Sequence, residues 1–164
     1  MVIGIGGVSR AGKTTLAIKL KRRLKGKTIN ILNQDDFVKK TTLPIIHGHI
    51  DWEHPDSLDW KALRAAVRQS SLVFDLTIIE GLFAFYDRAI NRRYDFAFFV
   101  HIQKELFFKR KRADMRWGKE PDWFIHHIWS SYHKFGQLPD SVKEVMWIEG
   151  NASTDIDQIV HYIR

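Results

Sequence analysis

Two rhythms of apolar residues alternate along the chain. Residues 72–79 and 96–102 are near-continuous apolar runs, the pattern of strands buried on both faces of a parallel sheet. Shorter runs predict strands at 2–6, 28–32 and 144–148, the second bounded by Gly26 before it and by Asn33-Gln34-Asp35-Asp36 after it. Between these strands the apolar spacing lengthens. Leu16, Leu20 and Leu24 recur every four residues and predict a helix over 14–24, while Leu58, Ala62, Leu63 and Ala66 predict another over 57–69, capped by Ser57. Helical patterns follow at 104–117 and 121–135, and a short terminal helix begins at Asp155. Residues 41–56 mix aromatic, His and Pro residues without a clean period and read as an excursion from the core.

Strands that alternate with helices predict an α/β fold, a doubly wound parallel sheet of five strands with helices on both faces. A length of 164 residues suits one domain, 1–164, and no repeat or low-complexity linker divides it. Lys and Arg outnumber Asp and Glu by seven, and the surplus gathers at 19–27 and 104–119. That asymmetry suits a polyanion, either nucleic acid or the phosphates of a nucleotide, and composition does not choose between them. The absence of cysteine excludes a disulfide scaffold, a thiolate zinc site and a cysteine nucleophile. Met1-Val2-Ile3-Gly4 enters a strand directly, without the pattern of a secretory leader, and no apolar run approaches the ~20 residues of a membrane span. A soluble, cytoplasmic protein is the expectation, with no membrane partner.

The chemistry begins at Gly7-Val8-Ser9-Arg10-Ala11-Gly12-Lys13-Thr14, which satisfies G-x-x-x-x-G-K-[ST] between a predicted strand and a predicted helix. Glycines let the backbone curl so that several N–H groups face one set of phosphate oxygens, and the following helix adds its positive end. Gly7 to Thr14, with Thr15 next in the helix, are therefore expected to bind the triphosphate of ATP. Lys13 would neutralise the β- and γ-phosphates and the Thr14 hydroxyl would ligate Mg²⁺. The motif alone does not separate a kinase from a GTPase, a motor or an assembly ATPase.

Two acids follow strands and so face the same crevice of a parallel sheet. Asp35, after the second strand, could accept a proton from an attacking hydroxyl or hold Mg²⁺ through water; a purely local helix cap is the plainer reading. Glu80 ends the third strand, the position of a Mg²⁺-binding acid, and the alternative is a buried structural carboxylate.

At this point the sequence resembles the uridine kinase and nicotinamide riboside kinase group of P-loop kinases. The phosphate motif, Gln34-Asp35-Asp36-Phe37 and Ile79-Glu80-Gly81 resemble both branches. His127-Ile128-Trp129-Ser130-Ser131-Tyr132-His133-Lys134-Phe135 and Glu144-Val145-Met146-Trp147-Ile148-Glu149-Gly150 are similar to segments of the second branch. The resemblance implies a P-loop NTPase fold with a substrate-side excursion at about 41–56 and a small helical lid at about 104–120. It also implies ATP- and Mg²⁺-dependent phosphorylation of a small nucleoside at its 5′-hydroxyl, nicotinamide riboside above all, with uridine, cytidine or another small alcohol as alternatives.

The resemblance further implies Asp35 as catalytic base. Trp52 takes the place of an aromatic residue that stacks on the base, with Trp117 as a candidate for the opposite face, and Glu53 stands where the group has an Asp that grips the ribose hydroxyls. Indole is also the best aromatic face for a cationic pyridinium; a core or loop-packing role for Trp52 is the bland alternative. Arg112 and Arg116 are the expected phosphate-binding arginines of the lid, one step farther apart than the group's pattern, with Arg110 in reserve. The remaining basic residues read as solvated helix faces. His47, His49 and His54 lack metal-ligand spacing and go with the substrate side. Because the basic residues already have a phosphate-facing use, nucleic acid is not the expected partner.

Overall fold

The computed structural model describes residues 1–116, 118–152 and 154–163. Five strands form one parallel sheet: β1 (Val2–Gly6), β2 (Ile29–Asn33), β5 (Leu76–Gly81), β6 (Phe96–His101) and β7 (Val145–Glu149), in the order β2-β5-β1-β6-β7. The remaining two, β3 (Ile45–Ile46) and β4 (His49–Ile50), make a small antiparallel hairpin inside the excursion. The helices are α1 (Lys13–Arg23), α2 (Trp60–Val73), α3 (Arg88–Asn91), α4 (Lys104–Arg112), α5 (Asp122–Phe135) and α6 (Ile156–Tyr162). No helix among the described residues is long and apolar enough to cross a membrane.

Successive strand residues point to opposite faces, and the chain uses both. Ile3, Ile5, Ile78 and Phe98 belong to the main core with Leu16 and Leu20 of α1 and Ile159 of α6, and α1 packs on α6. Val2 and Ile79, one step out of phase, form a second core with Leu63 and Val67 of α2 and Ile90 of α3. Full burial of one such side chain contributes roughly 1.5–3 kcal/mol. This is the doubly wound, five-stranded arrangement expected from the alternation of strands and helices.

Register decides what the sheet presents at its carboxyl edge. Glu80 lies level with Ile5 of β1 on one side and with Asn33 of β2 on the other. The chain therefore leaves β1 into the phosphate motif, β2 into Gln34-Asp35-Asp36 and β5 through Glu80 at one place.

Boundaries differ from the sequence reading at three points, each with a local cause. α2 is capped by Asp59, whose carboxylate accepts from the Ala62 N–H at 2.9 Å, whereas Ser57 is buried and closes a 3₁₀ turn, Pro55–Ser57. The helix then runs to Val73, which leaves Leu72 and Val73 exposed at its end instead of in the strand. α4 stops at Arg112, and the chain turns at Asp114 and at Gly118, which has a φ of 85°. A short helix absent from the periodicity, α3, is capped by Asp87 through the N–H groups of Ala89 and Ile90.

Candidate active site

The phosphate loop alternates between conformations that ordinary residues avoid. Gly7 has a φ of 140°, and a Cβ there would meet the Val100 carbonyl at 2.2 Å. Gly12, with a φ of 109°, precedes α1, which has no side-chain cap and no acid in its first turn. The amide donors of that turn are left without a side-chain acceptor, which is what an anion-binding helix end requires.

Lys13 donates from Nζ to the Val8 carbonyl at 3.0 Å, folding back over the loop. Burial lowers its pKa, and the carboxylates of Glu80, Asp35 and Glu53 oppose that shift. All three carboxylates thus favour the charged form of Lys13. Thr14 donates from Oγ1 to Glu80 Oε1 at 2.8 Å. Glu80 is 2 % exposed; burial pushes its carboxyl up, against the pull of Lys13 and Thr14. A hydroxyl and a carboxylate held side by side are hard oxygen donors of the kind a small divalent cation takes.

Asp35 and Asp36 are exposed in a 3₁₀ turn, Gln34–Phe37, capped by Asn33, whose Oδ1 accepts the Asp35 N–H at 2.9 Å. Sequence reasoning did not single out Gln34, yet this residue fixes the turn. Its side chain is buried and Oε1 accepts the Phe83 N–H at 2.8 Å. A Cβ on Gly81 would lie 2.2 Å from the same oxygen, so glycine there admits the contact. Gln34 thereby holds the Asp35 turn against the end of the Glu80 strand.

In the excursion, Trp52 is 45 % exposed and its ring pairs with no aromatic neighbour among the described residues, so it is not part of the aromatic core. Glu53 beside it is half-buried, and burial raises its carboxyl to about 7 against the attraction of Lys111. Lys111 is itself buried and paired with Glu120 at 2.9 Å. His47 and His49 of the hairpin rest on the ring of Trp123, and His54 on that of Phe135.

The lid arginines diverge. Arg116 forms a two-pronged pair with Asp114, with closest approach 2.7 Å, and feels the charge of Asp35. Asp114 also meets Arg10 of the phosphate loop at 3.7 Å, and these guanidinium groups hold its carboxyl well below the usual carboxylate range. Arg110 donates to the carbonyls of Arg10 and Gly150 at 3.1 and 3.0 Å. Arg112 instead pairs with Asp122 at 2.8 Å, lies over the Phe108 ring and is solvent-exposed. The helix geometry explains the split: Arg110 and Arg112 are two positions apart on α4 and point to different sides, and the helix ends before Arg116. Of the two expected arginines, Arg116 is tied through Asp114 to Arg10 of the phosphate loop, and Arg112 is paired elsewhere. Trp117 lies outside the described residues.

Asp51, His127, Ser131, Lys111 and Glu120 act on Glu53, by hydrogen bonds or by charge, without having been singled out for it. The i, i+4 spacing of His127 and Ser131, which puts both on one helix face, was the available signal.

A phosphate loop, a Thr14 hydroxyl bonded to a buried Glu80 and an exposed carboxylate at the carboxyl edge of a parallel sheet define a P-loop kinase of small molecules, and the comparisons with known proteins agree. No family model matches the chain. It is 27 % identical over 175 residues to rat nicotinamide riboside kinase 1, covering 94 % of this chain and 88 % of that protein. It is 26 % identical over 149 residues to the uridine kinase of Deinococcus deserti, covering 74 % of this chain and 72 % of that one. In fold it is similar to a gluconokinase from Sinorhizobium meliloti, with a TM-score of 0.61, 11 % identity, and coverage of 98 % and 87 % of the two chains. In sequence, then, the chain is similar to nicotinamide riboside kinases and uridine kinases.

Proposed function

We propose that residues 1–164 act as one kinase domain that transfers the γ-phosphoryl group of ATP to the 5′-hydroxyl of a ribonucleoside, with nicotinamide riboside as the preferred acceptor. The observation that carries this reading is the Thr14–Glu80 hydrogen bond at the aligned carboxyl ends of β1 and β5, with Asp35 following β2 at the same edge. Phosphoryl transfer asks for alignment and charge neutralisation more than for covalent chemistry, and this set supplies both.

In the proposed reaction Lys13 leaves the Val8 carbonyl and takes up the β- and γ-phosphates in the loop. Asp35 accepts the proton of the acceptor hydroxyl as its oxygen bonds to the γ-phosphorus and the bond to the β–γ bridging oxygen breaks. Thr14 and Glu80 would hold Mg²⁺, which supplies neutralisation of the phosphate charge when bound. Arg116, released from Asp114, would reach the transferring group, since its planar fork suits phosphate oxygens. Trp52 and Glu53 would hold base and ribose. Indole favours a cationic ring, which is why nicotinamide riboside ranks before uridine or cytidine. The proposed setting is the cytoplasm, with neither membrane nor nucleic acid as partner.

A coupled assay with ATP and Mg²⁺ across nicotinamide riboside, uridine, cytidine and pantothenate tests the reading. Turnover highest with nicotinamide riboside supports it, turnover highest with uridine or cytidine moves the acceptor to a pyrimidine nucleoside, and ATP binding without turnover of any nucleoside overturns it.

A further inference from the structure

Glu53 sits in a segment with little regular structure, yet its main chain is held at several points. Asp51, 6 % exposed, accepts the Glu53 N–H through Oδ1 at 3.1 Å. The same oxygen lies 2.8 Å from Nε2 of His127 in the second turn of α5. A carboxylate only accepts, so Nε2 carries the hydrogen. One helical turn later, Ser131 donates its hydroxyl to the Glu53 carbonyl. Ser57, fully buried, donates to the Trp52 carbonyl at 3.2 Å. The Asp51 N–H is bonded to the Pro44 carbonyl at 2.8 Å, which ties the base of the hairpin into the same network.

We infer that His127 and Ser131 are positioning residues for the acceptor: through Asp51 and the Glu53 carbonyl, α5 sets the place of the Trp52-Glu53 pair in the crevice. Hydrogen bonds occupy the N–H and C=O of Glu53 and the C=O of Trp52, while the indole stays half-exposed and free to meet a ligand. A main chain fixed in this way leaves side-chain torsions as the local freedom of the pair, which lowers the ordering cost of binding. The contacts span 76 and 78 residues of sequence, so local propensity does not supply the arrangement and α5 does. Loss of His127 would leave the buried Asp51 carboxylate without its charge-assisted partner and loosen the turn that holds Glu53. Among the described residues, neither His127 nor Ser131 hydrogen-bonds to the phosphate loop, so ATP binding should be spared.

This inference rests on the acceptor reading of Trp52 and Glu53, and the test separates the two. Amide hydrogen exchange of the whole ligand-free chain is compared for wild type, His127→Ala, Ser131→Ala and His127→Gln, whose amide nitrogen replaces Nε2. The expectation is exchange at least ~10-fold faster across 51–57 in both alanine variants, with β1 and α1 unchanged and with recovery in His127→Gln. With the acceptor that wild type turns over, His127→Ala should raise the acceptor KM ~10-fold or more and leave the ATP KM within about twofold, since small misplacements of positioning groups are costly. Unchanged exchange at 51–57 overturns the inference, as does an unchanged acceptor KM, or equal loss of protection across the whole chain in both variants. If wild type turns over no nucleoside, the proposed function falls while the exchange comparison still decides whether α5 braces the segment.

Discussion

Thr14 in the first turn of α1 donates its hydroxyl to Glu80 at the end of β5, closing a 66-residue separation at 2.8 Å. The contact joins the phosphate loop to the strand that carries the buried acid, and it places two hard oxygen groups where the proposed Mg²⁺ would sit. Glu80→Gln keeps a hydrogen-bond acceptor for Thr14 but removes the charge. The expected result is a Mg²⁺ requirement raised ~10-fold or more and kcat lowered ~10²-fold, measured by titrating Mg²⁺ at saturating ATP. Because burial raises the Glu80 pKa, ionisation at neutral pH works against the fold, so the melting temperature of Glu80→Gln should equal or exceed that of wild type at pH 7.

Glu53 gives a pH signature. Its folded-state pKa of about 7 lies above the ordinary 4.5, so its protonated form is the one the fold favours. The stability it contributes is fully present below the ordinary value and is lost as pH rises through about 7. Binding runs the other way if the ionised carboxylate accepts the ribose hydroxyls. The acceptor KM should therefore fall as pH rises through about 7, and Glu53→Gln should flatten both profiles. Steady-state kinetics and thermal melts over the same pH range check the two signs together.

How much of this was readable in the chain follows from the range of the interactions. The buried runs at 96–102 and at the end of 72–79 announced a parallel sheet because strands covered on both faces need apolar residues throughout. The phosphate motif, Asp35 and Glu80 were legible because each follows a strand directly, and a parallel sheet sends such residues to one edge. Leu72 and Val73 misled because an apolar pair at the end of α2 looks like the start of β5. The lid helix seemed longer than α4 because the pattern of residues 113–117 does not reveal that Asp114 will turn toward Arg10 and Arg116. The pairing of His127 with Asp51 left no trace at short range, since it exists only once α5 packs beside the excursion.

The lid arginines should separate kinetically. Arg116→Ala is expected to lower kcat ~10²-fold or more, the scale of a lost phosphate-binding guanidinium, while Arg112→Ala stays within about twofold because its exposed pair with Asp122 is worth little. Comparable losses in both variants would place Arg112 in the closed site and require α4 to rotate.

Gln34 links the Asp35 turn to the Glu80 strand without taking part in the chemistry. Gln34→Ala strands the buried Phe83 N–H and should destabilise the protein by about 1–3 kcal/mol in denaturant unfolding. At a temperature where the variant is folded, kcat should fall ~10-fold or more with the ATP KM little changed, as expected for a displaced base.

The central claim is that Asp35 acts on the acceptor and not on the nucleotide. Asp35→Asn, compared with wild type in ATP affinity and in turnover of the acceptor that wild type uses best, tests it most directly. The account predicts kcat lower by ~10²–10⁴ with ATP affinity within about twofold. Near-wild-type turnover of the acceptor in Asp35→Asn, or a loss that tracks an equal loss of ATP affinity, would contradict it.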